Sequence, residues 1–328
     1  MSKVGSLVIL CVFMVACGGP QRGTQVPSVL IPTSWMINAP TYAPVEVSSP
    51  TGLVVSTELS SLTETPALTE IPSPPSVARL SAEDWKDWPV VPIVSPEMKI
   101  LFQHGLALGN NPACFSKIGD EEISAIWFLT QYDTDPSNFH LGSHTELQPV
   151  IGHFSGSFGR VGPTAGRGFT TTNVLAPVPP GTKDCNPGET ALDCELRVNH
   201  PSFAIVSLGT YQVWRPEVFE PGLRQIIERL LQAEVVPILS TKADNLEGNQ
   251  RINTIIARLA YEYNLPLWNF WRAVQPLPGN GLQADHEHLT YSFSDFSNPF
   301  NFQSAWPWRN LTALQVLDSV YRGVTGQQ

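Results

Sequence analysis

The chain has 328 residues, 42% of them apolar, 9% aromatic and only 15% charged, with a formal net charge of −10. That length allows one large domain or two ordinary ones, and the charged fraction lies below the roughly 25% usual for globular chains. No block of Lys or Arg occurs, so the electrostatic footprint of a nucleic-acid binder is missing, and an acidic surface is not drawn by charge to anionic membranes.

The N-terminus reads as an export signal. Lys3 supplies a short positive start, and Leu7 to Val15 form an apolar core too short to span a bilayer as a helix. Met14-Val15-Ala16-Cys17 resembles a bacterial lipoprotein cleavage box, in which Cys17 receives the lipid; an ordinary secretory signal cleaved near Ala16 is the alternative. Lipidation would place residues 1–17 in the signal and tie the mature chain to the membrane surface of the cell envelope through Cys17. From Gly18 to Ala78 the composition changes, and ten of the 30 prolines fall there among Ser and Thr. Such a segment buries too little apolar surface to offset its ordering entropy. It is expected to be a disordered tether over 18–95, with Ala82 to Trp88 as a short helix that packs on the domain, leaving 96–328 as the globular head.

The head alternates strands and helices. Ala113 to Ile118 is a short apolar run leading into Gly119-Asp120, as a buried strand enters a turn. Phe203 to Leu208 is a second strand, stopped by Gly209. Glu217 to Ala233 carries Phe219, Leu223, Ile226, Ile227, Leu230 and Leu231 at helical spacing. Val235 to Leu239 is a third strand, with Pro237 arguing against a central position. Asn249 to Tyr263 is another amphipathic helix, Leu267 to Phe270 a short strand, and Asn310 a candidate cap for a final helix through Val320. This alternation predicts a parallel sheet flanked by helices, with ligands at the carboxyl ends of the strands. Gly119–Glu121, Gly209–Gln212 and Lys242–Asn245 all fall at such ends.

Four blocks occur in a fixed order: Gly119-Asp120-Glu121, Gly168-Phe169-Thr170, Gly209-Thr210-Tyr211-Gln212 and Asp285-His286-Glu287-His288. Over roughly residues 98–325 this set resembles the SGNH (GDSL-type) hydrolase family. The resemblance implies a three-layer α/β/α, flavodoxin-like domain that hydrolyses acyl esters of carbohydrates or lipids, with no cofactor. It makes His288 the general base, Asp285 its orienter, and Gly168 and Gly209 part of the oxyanion-hole region. Without the resemblance, the last block could also be a loop of solvated charges or a metal cluster of His286, His288, Asp285 and Glu287.

Two blocks depart from the family pattern. Glu121 stands where the nucleophilic serine follows Gly-Asp, and Tyr211 stands where an asparagine would complete the oxyanion hole. Loss of the serine alone costs on the order of 10⁶ in rate in a comparable hydrolase, so ordinary acyl-serine catalysis is not expected. Glu121 could pair with His288 and activate water, with Tyr211 donating a hydrogen bond, or it could face solvent at a helix N-terminus. Ser116 lies within the strand, too far upstream to replace the serine. Lys242, Asp244 and Asn245 could line the same cleft. The aromatic tail (Tyr291, Phe293, Phe296, Phe300, Phe302, Trp306, Trp308) could supply stacking surfaces for sugar rings or serve as core. The expected ligand is therefore an acylated saccharide or other ester, with a polysaccharide-binding or structural envelope role as the alternative. Of the cysteines that remain after Cys11 leaves and Cys17 is lipidated, Cys185 and Cys194 flank a loop that a disulfide could close, and Cys114 reads as a buried strand residue.

Overall fold

The computed structural model describes residues 80–327 apart from 135, 136 and 138. The expected signal segment, Cys17 and the Pro-rich stretch through residue 79 lie outside the described residues. Among the described residues, no helix is long and apolar enough to cross a membrane.

Four strands form one parallel sheet in the order β1-β2-β3-β4. They are β1 (Asn111–Gly119), β2 (Pro201–Ser207), β3 (Val236–Ser240) and β4 (Leu267–Trp268). Every residue of β2, β3 and β4 is buried, as strands covered on both faces must be. Beyond β1, a single parallel bridge joins Gly119 to Ala165, with Gly119 N donating to Thr164 O and Gly166 N to Gly119 O, both at 3.1 Å. With that bridge counted as a shortened outer strand, the order becomes the flavodoxin-like one.

The helices are α1 (Pro96–Leu108), α2 (Glu121–Ser124), α3 (Gln148–His153), α4 (Thr171–Leu175), α5 (Ala191–Asn199), α6 (Pro216–Gln232), α7 (Arg251–Glu262), α8 (Phe270–Val274) and α9 (Ala305–Thr325). They sort into two packed groups: α1, α3 and α8 meet α9, whereas α4 and α7 meet α6 and α5 meets α4. Both groups contact the sheet, which gives the three layers.

Pro237 occupies β3, which is flanked by β2 and β4, so the expectation of a peripheral strand is corrected. The reason lies in the ladder. Leu239 N and Thr241 N donate to Pro266 O and Trp268 O on the β4 side, and backbone donors two residues apart point the same way. Position 237 would also donate towards β4, but its level lies before β4 begins, so no ladder bond is lost.

The head also starts earlier than residue 96. Trp85, in a 3₁₀ turn over Trp85–Asp87, and Trp88 are 2% and 6% exposed. Asn269 Nδ2 donates to Trp85 O at 2.8 Å and to Trp88 O at 3.1 Å. The expected short helix is thus one 3₁₀ turn, and residues 85–95 belong to the domain rather than to a tether.

The final helix starts at Ala305, five residues before the proposed cap. Asn310 lies inside it, fully buried, where its Oδ1 accepts from Leu129 N at 2.8 Å and its Nδ2 donates to Trp127 O at 2.9 Å. Its neighbour Arg309 is also fully buried. The guanidinium donates through Nε to Glu122 O at 3.0 Å and through Nη2 to Ser207 Oγ at 2.9 Å, and Nη1 pairs with Glu122 Oε2 at 3.1 Å. Its carbon lies 5.2, 4.9 and 4.7 Å from the ring centres of Phe128, Trp268 and Phe270. A buried charge is tolerated only when paired and hydrogen-bonded. Replacing Arg309 by Met leaves the largely enclosed Glu122 carboxylate without its cation and should destabilise the domain by about 3 kcal/mol, measured by denaturant unfolding. Adding Glu122→Gln to Arg309→Met should restore part of that loss.

Candidate functional site

β1 ends in Gly119, where a Cβ would collide with the Ser207 carbonyl oxygen. The chain then turns at Asp120, whose Oδ1 accepts from Glu122 N at 3.3 Å and starts α2. Asp120 is 3% exposed. Burial, then the nearby Glu122 charge, raises its carboxyl well above the usual range, against the opposing pull of Arg309. Burial likewise raises Glu122.

Glu121 faces the opening above this turn. Its Oε2 accepts from the Tyr211 hydroxyl at 3.0 Å and pairs with Arg167 Nε at 3.1 Å. Burial, then the hydrogen bond to Glu121, pushes the Tyr211 phenol up to about 12, so it remains a donor at neutral pH. The second and third blocks are joined as well: Gln212 Oε1 accepts from Thr171 N at 2.8 Å, and Gln212 Nε2 donates to Thr171 Oγ1 at 3.1 Å. Gly168 adopts φ 74° ahead of Thr170, which caps α4 in a capping box with Asn173. At Gly209 (φ 138°) a Cβ would press on Ile252 Cγ2.

The last block lies in a segment closed by a bridge between Leu282 and Leu289 and by Gln283 N donating to His288 O at 2.8 Å. Asp285 Oδ1 accepts from Glu287 N and His288 N at 3.0 Å each, and Asp285 Oδ2 meets His288 Nδ1 at 2.8 Å. The backbone donors of Glu287 and His288, then the imidazole, hold the Asp285 carboxyl down at about 2. The Asp285 hydrogen bond raises His288, and the charges of Glu287 and Glu121 act in the same direction. Oδ2 occupies Nδ1, so the other ring nitrogen, Nε2, is left for a ligand or water.

These elements enclose a cavity of about 340 Å³. Asp120, Glu121, Glu122, Glu287 and His288 give it polar walls, and Trp127, Tyr211, Tyr291, Leu289 and Trp306 give it apolar ones. Trp127 meets Trp306 at 84° and Tyr291 at 73°. Neither Gly168 nor Gly209 lines the cavity. Thr210, also in the wall, donates its hydroxyl to Asp244 Oδ2 at 2.8 Å.

Lys242 and Asp244 do not line the cleft, contrary to expectation. Both are buried, with Lys242 Nζ 2.6 Å from Asp244 Oδ1 and 2.8 Å from Glu247 Oε2; they brace the Thr210 turn from behind. Ser116 is buried against Glu195, its Oγ donating to Oε1 at 2.5 Å. In the aromatic tail, Phe296 and Trp306 are buried, whereas Tyr291, Phe293 and Phe300 are exposed. Cys185 and Cys194 form a disulfide, and Cys114 is a buried free thiol.

Sequence reasoning missed Trp127 and Arg309, and read Asn310 as a cap rather than as a buried brace. The available signal was the beginning of α9: a helix apolar on all sides is buried on all sides, so its charged and amide residues need partners.

A parallel sheet between two helical layers, with an aspartate–histidine pair beside the strand ends, defines an α/β/α domain. Among solved structures the chain is similar to TesA, at 16% identity and a TM-score of 0.42 over 63% of this chain and 99% of TesA. It is also similar to a GDSL-like lipase from Bacteroides thetaiotaomicron, at 14% identity and a TM-score of 0.35 over 67% of this chain and 97% of that one. No protein-family model and no curated protein matches the sequence.

The raised His288 gives a direct test. A group whose folded pKa exceeds its unfolded value adds stability below the unfolded pKa and loses it as pH rises through the folded one. NMR titration should therefore place His288 above the ordinary value near 6.5, and Asp285→Asn should bring it down.

Proposed function

We propose that this chain is an exported, lipid-anchored protein whose SGNH-like domain holds a saccharide in the cleft without forming an acyl-enzyme. The observation that carries this reading is the Glu121 carboxylate in the serine's place, held by Tyr211 and Arg167. Acyl transfer needs a nucleophile there and donors aimed at a developing oxyanion. An ionised carboxylate is a far weaker acyl nucleophile than an activated serine and has no hydrogen to donate, and its negative charge opposes the charge that would develop. Tyr211, in the asparagine's place, spends its hydroxyl on the same carboxylate. What remains is a concave site with aromatic walls set nearly at right angles, together with carboxylates and an imidazole that can accept and donate hydrogen bonds. Flat apolar faces beside a few polar groups suit a sugar ring.

A second reading has one observation in its favour. His288 is oriented by Asp285 and faces the cleft, so it could act as general base on water. Hydrolysis of short-chain aryl esters separates the two. The full chain should show no turnover above background, and neither should His288→Ala. Restoring both family residues (Glu121→Ser with Tyr211→Asn) should produce turnover that depends on His288. Turnover by the unaltered chain that vanishes in His288→Ala would replace the binding reading with water-mediated hydrolysis.

Support for the anchor comes from the sequence: the apolar run Leu7 to Val15 ends at Ala16-Cys17, followed by Gly18-Gly19. The Cys185–Cys194 disulfide suits an oxidising compartment. Cys17→Ser should move the protein from the membrane to the soluble fraction on cell fractionation, with loss of the lipid-dependent mass increment.

A further inference from the structure

The segment between Gly279 and Leu289 contributes to two cavities. Gln283, Glu287 and His288 face the cleft already described, whereas Leu282 and His286 line a second depression of about 290 Å³. The chemistry of this depression differs from that of the cleft. Asn245, Gln250, Gln275 and Asn280 bring four carboxamides to it, Trp271 adds an indole, and no Asp, Glu, Lys or Arg lines it.

The carboxamides are only partly used within the protein. Asn245 Oδ1 accepts from Gln250 N at 2.8 Å, Gln250 Oε1 from Asn253 Nδ2 at 2.8 Å, and Gln275 Nε2 donates to Trp271 O at 3.0 Å. Among the described residues, these bonds leave Asn245 Nδ2, Gln250 Nε2, Gln275 Oε1 and both ends of the Asn280 amide without a protein partner. The bonds that are made orient the groups. Asn280 is also held in place, since its backbone sits at φ 55°, ψ 32° and its N–H donates to Leu277 O at 2.9 Å. The Trp271 ring is fixed edge-on by Trp85, with centres 5.0 Å apart.

A sugar hydroxyl both donates and accepts, and so does a carboxamide; an uncharged wall of such groups beside an indole favours a neutral polyhydroxylated ring over an ion. We propose that this depression is a second saccharide subsite, taking a neutral unit of the same chain whose neighbouring unit occupies the His288 cleft. The ligand would then cross the 279–289 segment, whose residues line both depressions. This proposal rests on the saccharide reading of the first cleft.

Calorimetric titration of the full chain with neutral β-linked glucose and N-acetylglucosamine oligomers of one to four units tests both. Affinity is expected to rise at least tenfold from the monomer to the longer oligomers. Asn280→Gly keeps the left-handed backbone and removes one amide, and Trp271→Ala removes the indole. Each should cancel that gain, about tenfold for the lost amide contacts, and leave monomer binding unchanged. Trp127→Ala should weaken binding at every length. Affinity that does not depend on length, or a gain that persists in both Asn280→Gly and Trp271→Ala, would overturn the second subsite while leaving the cleft reading intact. No binding at any length would overturn the cleft reading and this proposal with it.

Discussion

The buried guanidinium of Arg309 is the contact on which the site depends. Removing a cation from water is costly, and here the cost is offset on three sides: the Glu122 carboxylate and carbonyl, the Ser207 hydroxyl, and three aromatic rings. Each partner belongs to a different part of the site. Glu122 lies in α2, directly after Glu121. Ser207 closes β2, two residues before Gly209. Phe128 follows Trp127, whose carbonyl is held by Asn310. One side chain and its neighbour on α9 therefore set the relative positions of the Gly119–Glu121 turn, the third block and the aromatic wall.

A second set of charges holds the opposite side. Lys242 is enclosed by Asp244 and Glu247, and Asp244 in turn receives the Thr210 hydroxyl. Buried networks of this kind fix geometry firmly when all members are satisfied. At the centre of the cleft they frame sits the Glu121 carboxylate, restrained by a phenol and an arginine.

The layers were legible in the sequence because their signals are local. The continuous apolar run from Phe203 to Leu208 and the helical spacing from Phe219 to Leu231 report burial directly. Asp285 and His288 are three residues apart, within reach of one another in any tight turn. Pro237 misled because the rule against proline in central strands assumes a neighbour at every level, and β4 is too short to supply one. Asn310 misled because a capping residue and a buried amide that braces a loop look alike until the loop is seen. Lys242 and Asp244 lie at a strand end, where ligand-binding groups gather, but whether a side chain turns into the cleft or under it depends on partners distant in sequence. Arg309 was hidden for the same reason: its ligands come from residues 122 and 207.

Gly119 admits no side chain, because the Ser207 carbonyl occupies the space, and Asp120 is enclosed and starts α2. Position 121 carries no comparable demand: its side chain is 30% exposed and faces the cleft, with Tyr211 and Arg167 as its partners. Folding thus dictates the first two letters of the turn and leaves the third free. A polar substitution at 121 therefore carries little stability penalty, so the chemistry this position presents to the cleft can change without the fold around it changing.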